Sequence, residues 1–234
     1  MKNQNPLIET KDLEKSYFRK NTAPIKALEG VNLEAFQGEF LAIIGRSGSG
    51  KTTLLNLLGA LDRPTSGEIK FEGKSLSNFS NRDLAILRRE KIGFIFQTFN
   101  LLPSLTVAEN VESALVHSQM SKDQINSKVT ALLDLLELTE MSNRLPLELS
   151  VGQQQKVAIA RAIVKDPTLI LADEPTGEMD PVTGREILER LIELKRKMRM
   201  TLIVASHGTG IHSEADRVLF MKTGKIISQK EAGY

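Results

Sequence analysis

Eight consecutive residues carry the clearest chemistry in this chain: Gly45-Arg46-Ser47-Gly48-Ser49-Gly50-Lys51-Thr52. They match the G-x-x-x-x-G-K-[ST] pattern, in which glycines let the backbone curl so that successive N–H groups converge on phosphate oxygens. The apolar run Phe40 to Ile44 enters as a strand, and the stretch Leu54 to Leu61 leaves as a helix. The N-terminal end of that helix adds positive charge. Lys51 is placed to span the β- and γ-phosphates, and the Thr52 hydroxyl to bind Mg²⁺. A Gly/Ser-rich turn with an incidental lysine is the competing reading, and the strand-then-helix context argues against it.

A second constellation closes the run Leu169-Ile170-Leu171-Ala172-Asp173-Glu174. A buried strand ending in carboxylates places anions at the carboxyl edge of a parallel sheet, where ligands of α/β folds bind. Asp173 then serves Mg²⁺, and Glu174 polarises the attacking water as general base. Taken alone, the pair also reads as a strand ending in solvated acids. The phosphate loop makes the catalytic reading the better one.

With Leu149-Ser150-Val151-Gly152-Gln153, these motifs resemble, in order and over nearly the whole chain, the ATPase subunit of the ATP-binding cassette family. The resemblance implies an α/β fold with a P-loop NTPase core, an antiparallel β subdomain and an inserted α-helical subdomain. It implies ATP as substrate, Mg²⁺ as cofactor and a nucleotide-binding run that continues to Thr53. Tyr17 resembles the aromatic residue that stacks on adenine, with a strand-edge core tyrosine as the alternative. Gln97 resembles the glutamine that binds Mg²⁺ and senses the γ-phosphate, and His207 the histidine that contacts it. In this likeness Ser150, Val151, Gly152 and Gln153 meet the γ-phosphate held by a second copy, and Asp180 communicates across that dimer. The expected partners are a twin subunit on ATP binding and an integral membrane permease.

Three positions depart from the family pattern. Val151 replaces the first glycine of the commonest signature; if that site needs a positive φ, a β-branched residue there costs about 1–2 kcal/mol. Glu178 stands where many relatives have Asn, and Gly208 follows His207 where Asp is usual. Together they leave room for slow or tightly regulated turnover.

The elements that must position these groups alternate strand and helix. Besides Phe40 to Ile44, strands are expected at Ile69 to Phe71, Ile92 to Phe96, Leu169 to Ala172, Thr201 to Ala205 and Arg217 to Met221. Apolar residues recur at helical spacing at Val129, Leu132, Leu133 and Leu136, and again at Ile187, Leu188, Leu191 and Ile192. A helix is also expected over Gln154 to Val164. One domain over 1–234 is expected, with a core of about 1–97 and 166–234 and a helical subdomain of about 98–165.

Leu61 to Glu68 and Phe99 to Val111 are most similar to the bacterial lipoprotein-release and macrolide-export group. That likeness implies a permease coupling helix held by Phe99 to Val111. Leu101, Leu102 and Leu105 then either form its socket or pack a helical core.

Composition sets the remaining bounds. A formal net charge of +2 gives no footing for nucleic acid. With no cysteine, disulfides and thiolate metal sites are excluded. No segment approaches the roughly 18 apolar residues of a membrane span, and the N-terminus lacks an apolar signal core. The chain is therefore expected to be soluble and cytoplasmic, reaching the cytoplasmic face of the bacterial inner membrane only through its permease. Rival readings are an importer ATPase, an ATPase that regulates a membrane partner without transport, a soluble ABC protein of DNA repair or translation, and a pseudoenzyme that binds ATP without turnover.

Overall fold

The computed structural model describes residues 5–18, 23–208, 211 and 213–232. The chain divides into two compact units: 1–88 with 200–234, and 89–199.

The first unit holds two sheets. Strands β1 (Ile8–Tyr17), β2 (Ile25–Ala35), β4 (Ser66–Phe71) and β5 (Lys74–Ser75) form an antiparallel sheet in the order β2-β1-β4-β5. Alongside, β3 (Phe40–Ile44) is flanked in parallel by β8 (Thr201–Ser206) and β9 (Arg217–Lys222), with β10 (Lys225–Ile227) antiparallel on β9. All five residues of β3 are buried, as are the first five of β8. Covering on both faces is why these strands read as unbroken apolar runs.

Helix α1 (Lys51–Leu58) follows the phosphate loop and buries Leu54, Leu55, Leu57 and Leu58. It ends three residues earlier than its apolar spacing indicates. Gly59 terminates it, Ala60 adopts a positive φ of 54°, and Leu61 lies exposed in the loop beyond. Helix α2 (Asn81–Lys91) runs out of this unit, and the short α7 (Gln229–Ala232) follows β10.

The second unit is built on two parallel strands, β6 (Ile92–Ile95) and β7 (Leu169–Asp173). Between them come α3 (Val107–Glu112), α4 (Lys122–Leu135) and α5 (Val151–Ile163), with no strand among the described residues from 96 to 168. Helix α6 (Pro181–Met198) follows, capped by Asp180 with Pro181 in its first turn. Its last turn carries Lys195, Arg196 and Lys197, matching the negative end of the helix dipole.

The long strand β1 carries no clean alternation in sequence, and in β2 it is clean only from Val31 to Ala35. In β1 the register slips between Thr10 and Leu13, where Asp12 takes a φ of 45°. Such a bulge turns the next side chain to the other face and breaks the period of two.

Candidate functional site

The phosphate loop is anchored on both sides. Gly45 N–H donates to the Ser206 carbonyl at 3.2 Å, and the Ser49 carbonyl accepts from Gly224 N–H at 2.9 Å. Gly48 and Gly50 take φ values of 75° and 105°, the left-handed conformation that curls the loop into α1. At Gly45 space is the constraint: a Cβ there would lie 2.3 Å from the Met221 carbonyl oxygen. Lys51 is buried and folds back, its Nζ donating to the carbonyls of Gly45 (2.7 Å) and Arg46 (3.3 Å).

Arg46, Ser47, Gly48 and Thr52 are exposed, and Thr53 is half-buried. Ser49 Oγ is buried without a hydrogen-bond partner. A crowded glycine cradle, a lysine held over it and an exposed hydroxyl at the start of a helix together fit a triphosphate. A cleft of about 320 Å³ beside the loop is lined by Gly45 to Ser49 and Met221 to Thr223. Lys51 and Thr52 are not among its walls, so it flanks the cradle and does not cover it.

Two further expected residues belong to this unit. His207 directly follows β8, and the pairing of Ile44 with Ser206 makes Gly45 and His207 leave neighbouring strand ends in the same direction. Its side chain is exposed. Tyr17 ends β1 with 39% of its surface exposed, so it is not a core tyrosine.

In the second unit, the pairing of Ile95 with Ala172 makes Gln97 and the Asp173-Glu174 pair leave adjacent strand ends. Asp173 and Glu174 are half-buried. Glu174 has a φ of 45°, a left-handed conformation that costs energy in any residue with a Cβ. The turn behind it is closed by Gly177 N–H donating to the Glu174 carbonyl at 3.0 Å. Gln97 Nε2 donates to Glu178 Oε1 at 3.0 Å, which gives the Glu178 departure a concrete contact. Asp180 caps α6, accepting from the N–H groups of Val182 and Thr183. Hydrogen bonds from Thr183, through its side chain and its N–H, and then from Val182 hold its carboxyl below the usual range.

The structure moves the start of α5 forward. The helix begins at Val151 instead of Gln154, because Ser150 accepts from Gln153 N–H while Gln153 Oε1 accepts from Ser150 N–H. This reciprocal cap places Val151, Gly152 and Gln153 in the first helical turn, whose amides have no carbonyl behind them. Val151 therefore has no positive φ and carries no backbone strain; its side chain is 42% exposed.

Three polar residues escaped the sequence reading. Gln155, fully buried on α5, donates from Nε2 to the Pro175 carbonyl at 2.6 Å and so holds the residue after Glu174. Arg161 donates to the carbonyls of Phe99 (2.7 Å) and Asn100 (2.5 Å), two residues with positive φ just past Gln97. Asn110, also fully buried, shapes the Leu102–Thr106 loop through bonds to its backbone. The burial of Gln and Asn within polar helical stretches has no periodic signature. In the same loop Leu102 is 46% exposed, whereas Leu101 and Leu105 are half-buried.

The ABC transporter family model matches residues 28–177. A macrolide export ATP-binding/permease protein of Hyphomonas neptunium is 46% identical over 95% of this chain; the chain spans about a third (34%) of that relative's length. An ABC transporter ATP-binding protein of Thermotoga maritima is 46% identical over 89% of both chains. Among solved structures, the ATP-binding cassette MJ0796, a dimer in a post-hydrolysis state with ADP and Pi, superposes with a TM-score of 0.87 at 39% identity. That match covers 94% of this chain and 97% of MJ0796. With the family model matched over 28–177 and these relatives 39–46% identical over most of the chain, the chain belongs to the ABC transporter family, as an ATP-binding cassette.

Proposed function

We propose that two copies of this cassette close head to tail around two ATP molecules and drive a membrane permease that exports or releases its substrate. The observation that carries this is the exposed, Ser150-capped N-terminus of α5, an anion-seeking end separate from the phosphate loop's own helix. The dimeric MJ0796 cassette with ADP and Pi supports the pairing, and the macrolide-export relative supports the direction.

In this reading the loop amides and Lys51 hold the β- and γ-phosphates of one ATP. Ser150, Val151, Gly152 and Gln153 of the second copy meet its γ-phosphate, and Asp180 lies at the seam. Glu174 takes a proton from the attacking water, and His207 hydrogen-bonds the γ-phosphate as charge moves onto it. Mg²⁺, when bound, neutralises phosphate charge, and the Thr52 hydroxyl, Asp173 carboxylate and Gln97 amide oxygen are the hard donors that suit it. Tyr17 supplies a stacking face for adenine.

Leu102, exposed on the loop that Asn110 and Arg161 shape, is the apolar contact offered to the permease. No helix among the described residues is long and apolar enough to cross a membrane. Attachment at the cytoplasmic face of the inner membrane then runs through that partner.

Light scattering on the Glu174→Gln protein tests the pairing. With ATP and Mg²⁺ the mass doubles, and without ATP it does not; a persistent monomer, even with the permease supplied, overturns the proposal. Val151→Gly addresses the signature. Because Val151 sits unstrained in the helix, glycine relieves nothing there and lowers local helix propensity by only roughly 0.3–0.5 kcal/mol. Steady-state turnover is expected to stay within about twofold of the parent, and a rise of tenfold would show that valine throttles the enzyme.

A further inference from the structure

Tyr17 is held by more than its strand. β4 stops pairing with β1 at Glu14; beyond that point the backbone pairs with β2, and Ser16 N–H donates to Thr65 Oγ1 at 3.0 Å. The ring is secured by side chains. Tyr17 Oη donates to Asp62 Oδ2 at 3.2 Å. Lys15, two positions back and hence on the same face, donates from Nζ to Asp62 Oδ1 at 2.7 Å and to the Arg63 carbonyl at 2.7 Å. The same ammonium lies over the Tyr17 ring, 5.0 Å from its centroid, within cation–π range.

Asp62 is itself fixed. Its Oδ1 also accepts from Arg63 N–H at 2.7 Å, and its own N–H donates to the Asn56 carbonyl on α1 at 3.3 Å. Burial alone would raise its carboxyl pKa. The bonds from Lys15, Arg63 N–H and Tyr17 outweigh that and lower it, so the group is charged at neutral pH. The Lys15 side chain is 12% exposed and that of Asp62 34%, so solvent screens the pair from the carboxylate side.

We propose that Lys15 and Asp62 are positioning residues that lock the Tyr17 ring with one face closed by the ammonium, leaving the opposite face for the adenine base. This rests on the reading of Tyr17 as the base platform. Because Asp62 lies in the turn that ends α1, the platform is tied to the same helix whose first turn holds the phosphate loop. Base and phosphate contacts are thereby set in register before nucleotide arrives, and ordering the ring costs less on binding.

Lys15→Met, which keeps the stem and removes the charge, and Asp62→Asn test this by calorimetric titration of the full chain with Mg·ATP and with inorganic tripolyphosphate. ATP affinity is expected to fall about 3- to 10-fold, with tripolyphosphate affinity unchanged. Equal loss for both ligands overturns the inference, because the pair would then act on the phosphate loop or the fold. If Tyr17→Ala weakens ATP and Lys15→Met does not, the positioning role fails while the platform stands. If Tyr17→Ala also leaves ATP binding intact, the platform reading fails and takes the inference with it.

A second measurement does not depend on nucleotide. The chain has no tryptophan and two tyrosines, so in a Tyr234→Phe background all tyrosine emission comes from Tyr17. Acrylamide should quench that emission more strongly after Lys15→Met, as the covered face opens. Unchanged quenching overturns the inference.

Discussion

Glu174→Gln is expected to leave ATP binding intact and to lower turnover by about 10²–10⁴, the usual loss for a positioned general base. That range corresponds to roughly 3–5 kcal/mol of transition-state stabilisation. The substitution preserves size and hydrogen-bonding reach while removing the basic lone pair. The φ of 45° at this residue gives the prediction a structural edge. A strained backbone persists only where surrounding structure over-determines it. Here the Gly177 bond to the Glu174 carbonyl and the grip of Gln155 on the Pro175 carbonyl supply that determination. Steady-state phosphate release, read beside calorimetric ATP binding, separates the two effects. Turnover at the parent rate would remove Glu174 from the chemistry. Loss of binding with loss of rate would make it a structural residue instead.

Lys51→Met should weaken ATP binding itself, by about 10- to 100-fold, because each charge-assisted hydrogen bond to phosphate contributes roughly 1.5–3 kcal/mol. Methionine is the better probe than alanine. Lys51 is buried, and an alanine there would also empty the space its stem fills. The ammonium already bonds the Gly45 and Arg46 carbonyls, so the loop of the variant loses two internal contacts as well. Thermal unfolding distinguishes the outcomes. An unchanged melting temperature with weakened titration assigns the lysine to the nucleotide, whereas a large drop assigns it to the loop's own stability. Unaltered ATP affinity would contradict its role in the phosphate cradle.

Among the elements, those legible from sequence were the ones whose requirements are local. Phe40 to Ile44 and Thr201 to Ala205 are covered on both faces, so every position must be apolar, and their bounds are recovered to within a residue. The middle stretch read as helical because α4 and α5 repeat apolar residues every three or four positions. By contrast, β1 is interrupted by a bulge, and in β2, which carries Gly30 at a φ of 66°, clean alternation is confined to the short stretch Val31 to Ala35. The start of α5 was misplaced because its cap is a reciprocal side-chain arrangement, while the serine-glycine motif by itself reads as a loop. That shift removed the expected strain at Val151.

What the amino-acid sequence determined by itself is the phosphate cradle and the buried strand that ends in two acids. Glycines, a lysine and a hydroxyl at fixed offsets form a cradle through backbone geometry alone, and a run of apolar residues specifies a covered strand. What only the tertiary structure decided is which distant polar groups meet: Gln97 with Glu178 across 81 positions, Lys15 with Asp62 across 47, Gln155 with Pro175 across 20. Each such contact depends on strand register and on the path of a loop, and single polar side chains leave no periodic trace of either. The physical reason is range: a motif is enforced by neighbours along the chain, whereas a positioning contact exists only once separate elements have packed.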